Sequence, residues 1–428
     1  MDDIPNRLPS QVMDRAMTFM DNTVDLMVQL ELVFTEPLNP RRLAKAIDMT
    51  FDSEPVLGCR FVNNWRRPYW ERLDKDKRRS LYLTKNKEEY ESFKTRSMDV
   101  YTGPQVKVCL WRSTSDDNLL FKVSGVVADA SGVKEIVAII SNYYSQLATD
   151  QDIQLVPNLK GSRGLGQILR YVPRSAYPQI HRNYLNQMWV LARSRSYTLP
   201  VDDGPHDPLM YIHRTITQDK VARLVKYGQD RDATLDDVIL TCLFRTLALN
   251  GDWDKLSQLR VTMAVDLRQY LYVNGVEGIC NLSTFEHPSL GTSFDGDWGA
   301  TLLWVSSIKR ARKEHWIGLN DCMGTYRIVN LLPHSLGKKI FPWVLKQGIK
   351  RHRISHCLMS MGTIGSGSTT FGTRPSRALL LPTPFYPPAI GISFSGYAGS
   401  VTLSAGVYPS QQGIVGRLLD AMISNFPE

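Results

Sequence analysis

The chain has 428 residues, 43% of them hydrophobic and 22% charged, with a net charge of +9. That length exceeds one ordinary core and leads us to expect two domains of roughly 200 residues each. No run approaches the roughly 20 apolar residues of a membrane span, and the dispersed basic residues accompany no nucleic-acid-reading motif, so stable membrane insertion and nucleic-acid binding are not expected.

Residues 24–34 have the alternation and bulk of a strand. Asn39-Pro40 then opens a helix, since asparagine caps free amides and proline needs no hydrogen bond in the first turn. Residues 55–62 return to a strand, and 105–112 with 118–124 read as a hairpin pair around the polar turn 113–117. Residues 131–147 place Val133, Ile136, Val137, Ile140 and Tyr144 at helical spacing on one buried face. The pattern loosens from 154 to 205, with helical pieces at 165–171 and 182–194.

The second half restarts with a strand at 209–216, a helix at 218–227 and a helix at 234–249, which Thr234 caps with Asp237 in its first turn. Strands at 259–265 and 278–286, helices from 297 to about 350, a glycine-serine loop at 362–372, strands at 389–395 and 400–405, and a helix from Gln411 complete the chain. The expected organisation is a two-domain mixed α/β chain: an N-terminal half at 1–175, a linker at 176–205 and a C-terminal half at 206–428. Cys59, Cys109, Cys242, Cys280, Cys322 and Cys357 have no paired spacing and read as reduced thiols. With a start that lacks a secretory pattern, they point to a cytoplasmic protein.

Residues 121–133 read Phe-Lys-Val-Ser-Gly-Val-Val-Ala-Asp-Ala-Ser-Gly-Val. The stretch resembles the active-site segment of the superfamily of chloramphenicol acetyltransferase, nonribosomal-peptide condensation domains and BAHD-type acyltransferases, whose motif is His-His-x-x-x-Asp-Gly. Aligned on Asp129, Ser124 and Gly125 stand in place of the two histidines and Ala130 in place of the glycine. Thr234-Leu-Asp-Asp-Val, Ala264-Val-Asp-Leu-Arg268 and the hairpin 392–404 resemble further segments of the family, in the order it requires.

The resemblance implies two acyltransferase-like domains in a V, with a tunnel at their interface and the motif midway along it. It also implies that Asp129 is structural, paired with Arg268 or, second, Arg60. The motif's general base is missing: Gly125 has no side chain and is expected to leave spare volume, and the Ser124 hydroxyl is a weak substitute. His287, at the end of a strand that runs near the tunnel in relatives, is a candidate replacement base or a packing residue. Asn281 and Ser283 on the same strand, Tyr397 in the last hairpin and Gly125 are candidate substrate contacts.

Other chemistries have less support. No Gly-x-Ser-x-Gly elbow or phosphate-binding loop occurs. His352 and His356 are four apart beside Cys357, but two ligands without a third make no zinc site. Residues 338–353 mix lysines and arginines with Ile340, Phe341, Trp343, Val344 and Leu345, which suits a domain helix with a basic side or a segment lying on a membrane.

Three readings follow, in this order: a cyclase of specialised metabolism that works by shape on a hydrophobic small molecule, an acyltransferase with a displaced base using a coenzyme A or carrier-protein thioester, and a catalytically silent binding protein. No cofactor or metal is expected.

Overall fold

The computed structural model describes residues 4–427 apart from 150–152, 202, 203, 205, 206, 251, 252, 254–256, 272–274, 293, 295 and 315. The strand Met27–Phe34 is buried along its whole length and pairs antiparallel with Asp117–Ser124, which pairs in turn with Val106–Arg112. Leu81–Thr84 and Arg377–Leu381 complete a five-stranded sheet. Its core is closed by two helices, Pro40–Ser53 and Ala130–Gln146. Asn39 caps the first by accepting from the Arg41 and Arg42 amides at 3.1 Å, and Val133, Ile136, Val137 and Ile140 of the second are fully buried.

The second lobe is a six-stranded sheet in the order Ser283–Glu286, Val261–Asp266, His356–Thr363, Gly391–Tyr397, Ser400–Val407, Met210–Ile216. The helices Leu235–Asn250, Trp298–Glu314 and Pro409–Asn425 contribute to its core. Thr234 and Asp237 exchange hydrogen bonds at the start of the first of these, the reciprocal cap its sequence encodes.

Two features bear on the expected halves. The linker assigned to 176–205 contains a 17-residue helix, Tyr177–Arg193, packed against the helix Leu319–Leu331. The C-terminal half is also not separate from 206 onward, because Arg377–Leu381 pairs with Met27–Phe34 in the N-terminal sheet. The glycine-serine stretch is the crossover that leads there. Phe371 buries its ring among Phe34, Phe121 and Tyr144 with centroids 5.4–5.9 Å away, and Ser141 donates to the Thr370 carbonyl. Glycine and serine suggested an open loop; one aromatic anchor makes it part of the first core.

His356 lies in a strand and its Nε2 accepts the Leu199 amide at 2.8 Å. Among the described residues no group of three or more metal-ligating side chains occurs, and no helix is long and apolar enough to cross a membrane.

Truncating a ring buried on all sides removes contacts the fold cannot replace. Phe371→Ala is expected to cost about 3–5 kcal/mol in urea unfolding; a loss under 1 kcal/mol would mean the crossover is not anchored there.

Candidate functional site

The strand Asp117–Ser124 ends in a tight turn. The Ser124 carbonyl accepts from Val127 and Ala128, and the Ser124 hydroxyl accepts from the Val126 amide at 3.2 Å. Residues 124–129 are buried, and Asp129 caps the following helix by accepting from the Gly132 amide at 2.9 Å. The Asp129 carboxylate also accepts from Arg268 Nη1 at 2.8 and 3.0 Å, from the Leu282 amide at 2.7 Å and from Ser283 Oγ at 3.1 Å.

Burial alone would raise this carboxyl, but the Arg268 guanidinium and the backbone donors outweigh burial and hold it below the ordinary carboxylate range. Such a group is a poor proton acceptor near neutral pH. Arg268 also donates to the Cys280 carbonyl and pairs with Asp266, so one side chain ties the turn to the end of the strand Val261–Asp266 and to the segment that precedes Ser283–Glu286. Arg60 pairs with Glu71 instead.

Most of the other candidate residues hold or adjoin this turn. A Cβ on Gly125 would make ordinary contact with the Leu26 backbone, 3.6–3.8 Å away, and Gly125 lines neither cavity described below. The Ser124 hydroxyl is sealed within its turn. Asn281 donates to the Gly125 carbonyl at 2.8 Å and Ser283 to Asp129, so both spend polar atoms on holding the turn. Tyr397 donates to the Pro375 carbonyl and packs against the first core. These residues, His287 excepted, form a joint between the lobes.

Glu135 belongs to the same joint and was not singled out in the sequence. Its Oε1 lies 3.4 Å from Arg268 Nε, while its buried Oε2 has no hydrogen-bond partner. Burial pushes this carboxyl up to about 7, with Arg268 opposing and Asp129 and Asp266 adding to the rise. Lys134 beside it donates to the Met361 carbonyl across the lobes at 2.9 Å.

His287 stands elsewhere. Ser283 pairs with Asp266 and Glu286 with Met263. His287 is four residues along from Ser283, about 13 Å at strand rise. Its Nδ1 lies 3.0 Å from Thr262 Oγ1, which lies 2.7 Å from Ser355 Oγ. These side chains line a cavity of about 520 Å³ together with Phe285, Cys357 and Phe385. Met20 and Thr23 close it from the first lobe, and the helices Tyr177–Arg193 and His334–Lys350 flank it.

The sheet register explains the wall. Thr262 pairs with Cys357 and Cys357 with Gly391, and the Phe385 ring sits on Gly391, where a Cβ would come within 2.5 Å of it. Burial pushes the Cys357 thiol up to about 12, so it stays protonated and serves as wall. A second cavity of about 440 Å³, lined by Lys134, Asp237, Asp266 and Lys309 among others, is more polar.

No family model matches the sequence, and neither does any curated protein. Solved structures do. The epimerization domain from the third module of tyrocidine synthetase B superposes with a TM-score of 0.70 at 14% identity, over 99% of this chain and 96% of that one. The first condensation domain of the CDA synthetase gives 0.68 at 11%, over 99% and 97%. Polyketide synthase associated protein 5 from Mycobacterium tuberculosis gives 0.63 at 12%, over 97% of each. The chain therefore has the condensation-domain fold of two chloramphenicol acetyltransferase-like lobes.

Two pH effects follow, of opposite sign. Asp129 has a depressed folded value, so its stabilisation is present above the ordinary value of about 3.9 and is lost as pH falls through the folded one. Removing one partner of this buried pair, as in Arg268→Ala, is expected to cost about 3–5 kcal/mol at pH 7 by chemical denaturation.

Glu135 has a raised value, so its contribution is present below about 4.3 and is lost as pH rises through about 7. Glu135→Gln should flatten the fall in Tm over that window; an unchanged slope would show that Glu135 does not titrate there.

Proposed function

We propose that the chain is a small-molecule enzyme of specialised metabolism that holds a hydrophobic substrate folded in the interlobe cavity and promotes ring closure by confinement. The observation that supports it is the contrast between two places. In the motif turn neither Asp129, held by hydrogen bonds, nor Ser124, sealed in the turn, is an accessible base. The cavity is walled mainly by Met20, Phe285, Phe385 and Trp343, with the Ser355–Thr262–His287 cluster at one place on its wall.

A reaction suited to such a cavity moves no proton and releases no group. An intramolecular cycloaddition fits: two π bonds are consumed, two σ bonds form, and the product is an isomer of the substrate. Holding the reacting ends in contact can lower the barrier by about 7–11 kcal/mol in the best intramolecular cases, without a cofactor. The imidazole and hydroxyls orient a polar group of the substrate, and the aromatic walls select the folded conformer.

A second reading is favoured by one observation, the imidazole in the cavity wall with its Nδ1 against a hydroxyl. In it, His287 takes the proton from an acceptor hydroxyl or amine, which attacks a thioester carried by coenzyme A or a carrier protein, and the thiol leaves.

Loss of the gene is expected to accumulate a precursor with the same elemental composition as the missing product, by high-resolution mass spectrometry. A precursor that lacks an acyl group would support the transferase instead, and binding without turnover would leave a binding protein. Under the confinement reading, His287→Ala keeps kcat within about tenfold, whereas loss of a general base costs about 10²–10⁴-fold. Gly391→Ala drives the Phe385 ring into the cavity and is expected to raise KM; unchanged kinetics would place the substrate elsewhere.

A further inference from the structure

Neither of the two helices flanking the cavity carries an acidic residue. The protein has 42 acidic residues, yet none lies between Asp152 and Asp202 or between Asp321 and Asp420. Those intervals contain both helices, Tyr177–Arg193 and His334–Lys350. On the second helix, His334 and Gly337 face inward, with Phe19 filling the space where a Gly337 Cβ would lie. Its outer side exposes Leu336, Ile340, Trp343 and Val344 beside Lys339, Lys346 and Lys350. The first helix exposes Leu185, Met188, Trp189 and Val190, and the Arg193 guanidinium lies 4.5 Å over the Trp189 ring.

Trp343 and Trp189 are 63% and 58% exposed, an unusual state for the largest side chain. Met188 and Leu191 from one helix, and Trp343 and Val344 from the other, also line the apolar cavity. The exposed surface and the cavity wall are therefore continuous.

We propose that this rim is a docking surface for an anionic lipid bilayer, which it meets with the cavity mouth against the membrane. Exposed tryptophans and aliphatic side chains enter the headgroup boundary, and the neighbouring lysines and arginines meet anionic lipid, as on interfacial amphipathic helices. Charge complementarity selects the anionic surface. An acidic protein partner would account for the basic residues, but the bulky apolar groups running into an apolar cavity fit a hydrocarbon phase. A hydrophobic ligand then passes between bilayer and cavity without crossing water. The docking does not depend on the reaction in the cavity and is testable in a chain with no measured turnover.

The test is flotation of the full chain with vesicles of phosphatidylcholine alone or with about one third phosphatidylglycerol, at low and high salt. Binding to the anionic vesicles, weakened by salt and accompanied by a blue shift of tryptophan emission, is expected. Each exposed lysine near the surface strengthens binding about fivefold, so K339E/K346E/K350E is expected to weaken it more than a hundredfold. Trp343→Ser should weaken binding and reduce the blue shift while circular dichroism stays native. No flotation, equal binding to both vesicles, or wild-type binding by both variants would overturn the assignment. So would complex formation with an acidic carrier protein in the absence of vesicle binding.

Discussion

Asp129 sits where the two lobes meet, and its two oxygens accept hydrogen bonds from its own helix and from three residues of the other lobe. A carboxylate this deeply buried is tolerated only when its lost hydration is replaced in full. Arg268 supplies the charge, and the Leu282 amide and Ser283 hydroxyl fill the remaining positions. Because these donors come from two separate segments, the turn Leu267–Tyr270 that carries Arg268 and the chain entering the strand Ser283–Glu286, the Asp129 turn cannot shift without breaking several bonds together. Asn281, holding the Gly125 carbonyl, and Lys134, reaching the Met361 carbonyl, extend the joint on either side. The relative position of the lobes, and hence the shape of the cavity between them, depends on this node.

A group committed to structure is withdrawn from chemistry. The hydrogen bonds that stabilise the Asp129 carboxylate also make it a weak base, and the turn before it is closed to small molecules. Beside the joint lies the more polar cavity lined by Lys134 and Asp266, and the more apolar one lies farther along the second sheet, where His287, Thr262, Cys357 and Gly391 stand close together. The register that brings Ser283 to Asp129 also sets His287 about 13 Å away. One strand thus serves the joint at one end and the cavity at the other.

Features encoded locally were legible in the sequence. The Asn39 cap, the apolar face of the helix after Asp129 and the Thr234–Asp237 box each depend on residues within a few positions of one another. The order of weak family-like segments reached farther and gave the two-lobed fold. Features dependent on distant packing were not legible. Arg377–Leu381 joins the first sheet because Phe371 anchors the crossover, and nothing near Phe371 signals the pocket among Phe34, Phe121 and Tyr144. At Gly125 a sequence shows the missing side chain but not the Leu26 backbone that a Cβ there would touch. Thr262, Ser355 and Phe385 are ordinary residues in ordinary strands and turns, and only the sheet brings them to one wall.

The most direct measurement is a crystal structure of the chain with its ring-closed product, or with an apolar analogue of it, diffused into the crystal. Density is expected between Phe285, His287 and Phe385, with the Asp129–Arg268 joint unchanged. Density over Ser124 and Gly125, with the turn opened to admit it, would contradict the separation of joint from cavity and return the chemistry to the motif.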